Sequence, residues 1–248
     1  MLVFLLAGLV GLSLGLLGAG GSILAVPILR YAGGLSAKQA IATSLATVGA
    51  VSLVGAAIAW REGRLRPREA LMFAGIASLG TLLGVRLAVW LSDAVQMGLF
   101  LLVMIVALVF MVKSNGDQPG TEKVTVAATW GKALGVGVLT GLVGVGGGFL
   151  IVPALMAIYR MPIKEATGTS LGVIALNSAL GMMAYSNSVT LDLTFTAEFV
   201  GAALGGLMIG LGTGRRVESR VTKVLFQGSI LAVALYTAWR EFGALLLG

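Results

Sequence analysis

The chain has 248 residues, of which 58% are hydrophobic and only 11% are charged, and its formal net charge is +7. It contains neither cysteine nor histidine, which excludes disulfides and thiolate or imidazole metal sites, and no cofactor is expected. Several apolar segments exceed the roughly 18–20 residues that cross a bilayer. We therefore predict an all-α polytopic membrane protein whose surroundings are the lipid bilayer. Nucleic-acid binding is not expected, because the positive residues lie in short loops between spans.

The first half of the chain predicts one broken apolar segment and three long helices. In chain order these segments cover residues 2–32, 36–60, 67–91 and 94–112. Ser36 and Asp93 are suitable N-cap residues for the second and fourth segments. Pro67 suits the first turn of the third segment, which follows a basic loop.

A glycine-rich break interrupts the first segment near its middle. It covers residues 18–22 and is followed by Pro27, and each glycine inside a helix costs roughly 1 kcal/mol relative to alanine. A second break at residues 144–148 is followed at the same distance by Pro153. Two breaks at corresponding points of two halves indicate the binding site of a transporter built from repeats.

The second half repeats the first with a constant offset of 126 residues and no gap. The sequence Ala-x-x-Thr-Ser-Leu at residues 40–45, for example, recurs at 166–171. Collinear matches of this kind do not arise from apolar composition alone. The expected units are a first transmembrane repeat over residues 1–113, a cytoplasmic linker over 114–126 and a second transmembrane repeat over 127–248.

Equivalent loops of the two halves have opposite charge character. Residues 61–68 include four arginines, whereas the counterpart at 187–198 has no lysine or arginine. If the broken segment enters and leaves on one side, thirteen of the seventeen Lys and Arg residues lie inside, against eight if every segment spans. The positive-inside rule therefore predicts two tandem inverted-topology repeats, each a glycine-broken segment plus three transmembrane helices. Whether the broken segment is re-entrant or two short spans stays open.

The doubled Gly-x-x-Gly-x-Gly-Gly pattern with its following proline, and the doubled Ala-x-x-Thr-Ser-Leu sequence, resemble the TauE/SafE family of sulfite and organosulfur anion exporters. The resemblance covers nearly the whole chain. It implies a multi-pass permease of the cell inner (plasma) membrane that exports sulfite or sulfoacetate. It carries no fixed set of functional residues over to this chain, so the candidate residues come from chemistry.

The two glycine breaks are the first candidate substrate-binding site. Helices that begin near residues 22 and 148 would point unpaired N–H groups and a positive dipole end at a wet cavity. The alternative is that the glycines only allow close helix packing. The candidate residues are Gly18, Gly20, Gly21, Ser22, Gly144, Gly146, Gly147 and Gly148.

Polar side chains inside the apolar helices are further substrate-binding candidates. The hydroxyls of Thr43, Ser44, Thr169 and Ser170 could coordinate a small oxyanion, or they could bond to the preceding helical turn. Asn177 either hydrogen-bonds between helices or faces the pathway.

Three cations, Lys38, Lys164 and Arg86, are candidate vestibule residues that draw anions towards the pathway. The alternatives are anchoring at the membrane interface and snorkelling of Arg86. No Asp or Glu falls in the middle of a predicted span, so a buried carboxylate proton relay is not visible. The apolar segments contain no nucleophile–base pair, and an enzyme is not expected.

These features together predict a secondary transporter that exports a small sulfur-containing anion. Alternating access would operate around a midplane site formed by the two glycine breaks. The alternative function is a passive anion channel, or a permease for another small anion. The expected partner is the small anionic substrate, and a homo-oligomer is compatible with the sequence.

Overall fold

The computed structural model describes residues 2–18, 20–113, 126–143, 148–185, 189–214 and 217–246. Over these ranges the chain forms ten α-helices, with a π-helical turn at Ile28–Ala32 after the second. The helices are α1 (Leu2–Leu17), α2 (Gly20–Pro27), α3 (Ala37–Arg61), α4 (Pro67–Ala88), α5 (Asp93–Lys113), α6 (Val126–Val143), α7 (Gly148–Tyr159), α8 (Ile163–Tyr185), α9 (Leu193–Gly214) and α10 (Ser219–Leu246). Helices α3, α4, α8, α9 and α10 are long and apolar enough to cross a membrane. The protein is an all-α multi-pass membrane protein, as its sequence predicts.

The predicted start of α3 is confirmed by its capping hydrogen bonds. The Ser36 hydroxyl accepts from the Gln39 backbone N–H, and the Gln39 side chain accepts in return from the Ser36 N–H. Such a capping box satisfies two backbone donors that the helix itself leaves unpaired. Pro67 occupies the first turn of α4, where its missing N–H costs nothing.

The predicted role of Asp93 as an N-cap is wrong. Asp93 is the first residue of α5, and the preceding Ser92 supplies the hydroxyl that accepts from the Val95 N–H at 3.5 Å. The Asp93 carboxylate instead accepts from the Ala37 N–H at 3.1 Å and pairs with Arg30 at 3.3 Å. It therefore ties the starts of α3 and α5 to the π-helical turn.

The chain reverses direction at the first glycine break. Gly18 ends α1 with φ +69°, and its N–H donates to the Leu14 carbonyl at 2.8 Å. Glycine adopts this left-handed conformation without strain. A Cβ on Gly21 would lie 2.1 Å from the Val10 carbonyl oxygen, so α2 runs back along α1 in close contact. The broken segment is a helical hairpin.

The two halves of the chain interlock. Helix α1 of the first half packs against α9 of the second, and the equivalent α6 packs against α4. A Cβ on Gly11 would lie 1.7 Å from the Ala203 carbonyl oxygen, and one on the equivalent Gly137 would lie 2.0 Å from that of Ala77. Backbones approach this closely only where a side chain is absent, as small residues allow in membranes.

The equivalent helices α3 and α8 contact each other in antiparallel directions. A Cβ on Gly49 would lie 3.0 Å from the Ser178 Cβ, and one on Gly55 would lie 3.1 Å from a Leu171 methyl carbon. Positions further along α3 thus meet positions earlier in α8.

Aromatic core positions repeat between the halves. The largest fully buried side chains include Phe73 and Phe100, together with Phe199 and Phe226. These are equivalent pairs under the offset of 126 residues. The sequence repeat therefore places buried phenylalanines at the same positions of the two halves.

Candidate functional site

A polar cavity of about 500 Å³ lies at the tip of the α1–α2 hairpin. Its walls come from the end of α1, the α3–α4 loop, the first turns of α8, the end of α9 and the first turn of α10. The lining residues are Gly15, Leu16, Glu62, Arg64, Lys164, Thr167, Leu211, Gly214 and Thr222. Gly15 and Leu16 line the cavity from the end of α1, whereas Gly18, Gly20, Gly21 and Ser22 of the first glycine break are not among its lining residues.

The charges around this cavity are partly paired. Arg64 donates through Nε to the Glu62 carboxylate at 2.7 Å, so these two residues neutralise each other locally. Lys164 adds a further positive charge in the first turn of α8. The neighbouring side chain of Arg66 donates to the Glu165 carboxylate and thereby joins the starts of α4 and α8. The described lining residues of the cavity carry two positive charges, on Arg64 and Lys164, and one negative charge, on Glu62.

The tip of the first hairpin lies near the start of α8, and the midplane binding site predicted from the two breaks stays a prediction. A Cβ on Gly18 would lie 2.5 Å from the Thr167 Cβ, and Thr167 is the fifth residue of α8. At 1.5 Å per residue, Gly18 lies about 6 Å from the start of a helix about 34 Å long. The reason is that α1 runs for about 24 Å beside α9 before it turns.

The remaining glycines of the breaks have different positions. Gly20, Gly21 and Ser22 form the first turn of α2, where Gly21 is required by its contact with α1 and Ser22 is fully buried. Gly148 is the first residue of α7. The other predicted residues of the second break, Gly144, Gly146 and Gly147, lie outside the described residues.

The predicted hydroxyl residues are all buried, but they are bonded differently in the two halves. Thr169 accepts from the backbone N–H of Arg66 at 3.0 Å, and Ser170 donates to the Thr167 carbonyl at 2.8 Å. Ser44, the equivalent of Ser170, finds no partner among the described residues. The second-half pair therefore stabilises the helices, whereas the Ser44 hydroxyl has no such bond to the described part of the chain.

Asn177 forms the interhelical hydrogen bond that was one of its two predicted roles. Its Oδ1 accepts from the Ser78 hydroxyl at 2.9 Å, which links α8 to α4. Its Nδ2 is buried and has no partner in the described part of the chain. One side of this amide thus stabilises the bundle while the other side retains two unused donor hydrogens.

The three predicted vestibule cations lie at the ends of the helices. Lys164 lines the polar cavity. Lys38, its equivalent, donates to the Val89 carbonyl at 3.0 Å at the opposite end of the bundle. Arg86 is exposed in the last turn of α4, close to Val89 in sequence. The two equivalent lysines therefore mark opposite ends.

Three buried hydroxyls near the α3–α8 contact were not among the predicted residues. Thr47, Ser52 and Ser178 are fully buried, and their oxygens have no hydrogen-bond partner within the described ranges. The repeat match of Ser52 with Ser178 was a signal that could have identified two of them. Thr47 lies one turn beyond Thr43, but its missing partner is visible only in the folded chain.

A larger cavity of about 740 Å³ lies between α3, α4 and α8. Its lining is almost entirely apolar and includes Leu53, Trp60 and Leu71, whose side chains are more than half exposed. An unpaired anion would lose its hydration there without compensation. This groove suits hydrocarbon rather than a charged substrate.

Comparison with known proteins identifies the family to which this chain belongs. A chain from Xylella fastidiosa (strain 9a5c), named a probable membrane transporter protein, is 36% identical over 247 residues, covering 96% of this chain and 94% of that protein. The probable membrane transporter protein YdhB of Bacillus subtilis is 27% identical over 236 residues, with 93% and 95% of the two chains covered. No solved structure matches the chain. The family model described as sulfite exporter TauE/SafE matches residues 3–237. This chain therefore belongs to the TauE/SafE sulfite exporter family of membrane transporters.

Proposed function

We propose that this transporter is a secondary carrier that exports a small sulfur-containing anion, such as sulfite or sulfoacetate, across the inner membrane. The observation that carries the proposal is the polar cavity at the hairpin tip, where Arg64 and Lys164 face a space of about 500 Å³. Among the described residues that line it, Glu62 is the only acid. The resulting positive field would concentrate small anions at the mouth of the pathway.

The proposed topology is a pair of inverted repeats. Equivalent helices α3 and α8 run antiparallel, as expected when the axis that relates two halves lies in the membrane plane. The sequence predicts four cations outside, and contacts join three of them to one end: Arg30 to Asp93, Lys38 to Val89, and Arg240 to the Tyr31 ring. This grouping supports the cytoplasmic assignment of the polar cavity at the other end.

Alternating access would then open the two ends in turn. The α1–α2 hairpin borders the cytoplasmic cavity, and the equivalent α6–α7 segment would border the outer one. Gln96, the equivalent of the cavity residue Thr222, donates to the Leu142 carbonyl at 3.5 Å near the end of α6. A negative-inside membrane potential favours export of an anion by about 2.3 kcal/mol per charge per 100 mV.

Transport by purified protein in proteoliposomes tests the proposal. Sulfite uptake should saturate and show counterflow, and Lys164→Gln should raise KM for substrate presented at the cavity face. The equivalent Lys38→Gln is the matched variant and should raise KM at the opposite face. A folded protein that moves none of sulfite, thiosulfate, sulfoacetate or simple carboxylates would refute the proposal. An unsaturable, ohmic current would assign a passive channel instead.

A further inference from the structure

The ion pair of Glu62 and Arg64 lies in the wall of the polar cavity. Both residues line the space of about 500 Å³, together with Lys164. Arg64 donates through Nε at 2.7 Å, and also through Nη2, to the same carboxylate oxygen, Oε2 of Glu62. The two side chains are only 26% and 20% exposed. The guanidinium that would attract an anion into this cavity therefore already holds one.

The hydroxyl groups that line the cavity are used elsewhere. The Thr167 hydroxyl donates to the Lys164 carbonyl at 2.9 Å, and the Thr222 hydroxyl donates to the Glu218 carbonyl at 3.1 Å. Each thus gives its single hydrogen to its own helix. Among the described residues that line the cavity, Arg64 and Lys164 are therefore the side chains that can donate to a bound anion.

The backbone around the ion pair is held in place. The Glu62 N–H donates to the Ile58 carbonyl at 3.1 Å, and the Arg64 N–H donates to the Ala59 carbonyl at 2.9 Å. A Cβ on Gly168 would lie 2.7 Å from the Arg64 carbonyl oxygen, so α8 supports this loop directly. The Glu62 carboxylate can therefore separate from Arg64 by rotation of its side chain, without movement of the backbone.

We propose that Glu62 is a built-in substitute for the transported anion: its carboxylate binds Arg64 in the empty carrier and gives way to an oxyanion substrate. The inference rests on the proposed anion transport and deepens it. Glu62 presents one oxygen to both N–H groups of Arg64. Sulfite or a sulfonate can present a separate oxygen to each N–H, which is the bidentate arrangement that arginine favours. The site therefore selects oxyanions with two free oxygens over halides.

The exchange keeps Arg64 paired throughout a transport cycle. A carrier that works by alternating access closes both loaded and empty, and closure over an unpaired guanidinium would remove its hydration without compensation. Glu62 compensates Arg64 in the empty form, and the substrate does so in the loaded form. Lys164, which has no ion-pair partner among the residues that the structure describes, supplies a positive charge in the same cavity for the displaced carboxylate.

The sequence repeat provides this pair in only one half. The positions equivalent to Glu62 and Arg64 are Ser188 and Thr190, which carry no charge. By contrast, Lys164 has an equivalent in Lys38. The exchange of carboxylate for substrate is therefore expected at the cavity face and not at the opposite face.

Transport by the full-length protein in proteoliposomes tests the exchange. Glu62→Gln should lower KM for sulfite presented at the cavity face about fivefold, the factor that corresponds to roughly 1 kcal/mol for a partly exposed ion pair. The ratio of net efflux to sulfite–sulfite exchange should fall by a similar factor, because only net efflux requires the empty carrier to close. A merely structural ion pair predicts instead that both rates fall equally.

Two controls separate a local exchange from a general effect of charge. In an Arg64→Gln background, Glu62→Gln should leave KM unchanged, whereas a long-range field would lower KM in both backgrounds. Glu165→Gln removes the carboxylate that binds Arg66 beside the cavity but does not line it, and should change neither KM nor the rate ratio. Glu62→Ala is the second variant, because the amide oxygen of glutamine can still accept from Arg64.

The possible results are distinguishable. If the wild-type protein transports and neither Glu62 variant lowers KM, the exchange is refuted while the proposed function stands. An equal fall of KM in the Arg64→Gln background, an unchanged rate ratio, or failure of both Glu62 variants to fold also overturns it. If the folded wild type transports no anion, both proposals fail. At constant ionic strength methanesulfonate should compete with sulfite better than chloride does, and equal competition would exclude the two-oxygen contact.

Discussion

The packing of α1 against α9 and the equivalent packing of α6 against α4 yield the sharpest structural prediction, because a single substitution can perturb each contact separately. In Gly11→Ala the new Cβ would lie 1.7 Å from the Ala203 carbonyl oxygen, and in Gly137→Ala it would lie 2.0 Å from that of Ala77. The helices would have to separate by roughly 1.5 Å to restore an ordinary van der Waals contact. Both obstacles are backbone atoms, so no side-chain rotation relieves them.

Overpacking of this kind costs about 1–3 kcal/mol. For a protein of this size, each kcal/mol shifts the unfolding temperature by about 2–4 °C, so we expect a fall of roughly 2–12 °C in each variant. The assay is thermal unfolding of the purified protein in detergent. Gly75→Ala and the equivalent Gly201→Ala are the controls, because a Cβ at either position meets nothing within 4 Å. These controls should be neutral or stabilising by up to about 1 kcal/mol. Equal unfolding temperatures for Gly11→Ala and Gly75→Ala would refute the interlocked packing.

Three further predictions follow from single contacts. Ser78→Ala removes the donor to Asn177 Oδ1 and should lower stability by about 1–2 kcal/mol in the same unfolding assay; an unchanged unfolding temperature would contradict this hydrogen bond. Glu165→Gln should change stability by less than about 1 kcal/mol, because its pairing with Arg66 is partly exposed to solvent; a larger loss would indicate a stronger, desolvated pair. The KM increase caused by Lys164→Gln should shrink as salt is added, because screening weakens the attraction that this lysine supplies; an effect independent of salt would show that Lys164 acts by contact.

The equivalent helices α3 and α8 differ in polar contacts that the sequence repeat alone does not predict. Ser170 bonds to its own helix while its equivalent Ser44 has no partner among the described residues. Asn177 replaces an apolar residue, Val51, at the equivalent position of α3. The repeat thus gives the two halves the same scaffold, and single residue differences between them change the hydrogen bonding of α3 and α8.

Local and periodic features are determined by the sequence itself. The capping box of α3, the proline start of α4 and the end of α1 at Gly18 depend on residues close together in the chain, so local rules predict them. The sequence also predicts the all-α membrane class, because a long apolar segment inside a bilayer can pair all its backbone N–H and C=O groups by itself only as a helix. The repeat is likewise visible without coordinates, since it is a property of residue order.

Only the tertiary structure decided how the halves fit together and which polar groups lack partners. The contact of α1 with α9 joins residues nearly two hundred positions apart, and no local pattern encodes that pairing. The position of the Gly18 turn beside the start of α8 follows from that contact, because α1 extends along α9 before the chain reverses. Thr47 and Thr81 are both buried threonines in apolar helices, yet only Thr81 bonds to its own helix. That difference depends on side-chain orientation in the packed bundle, which sequence spacing does not specify.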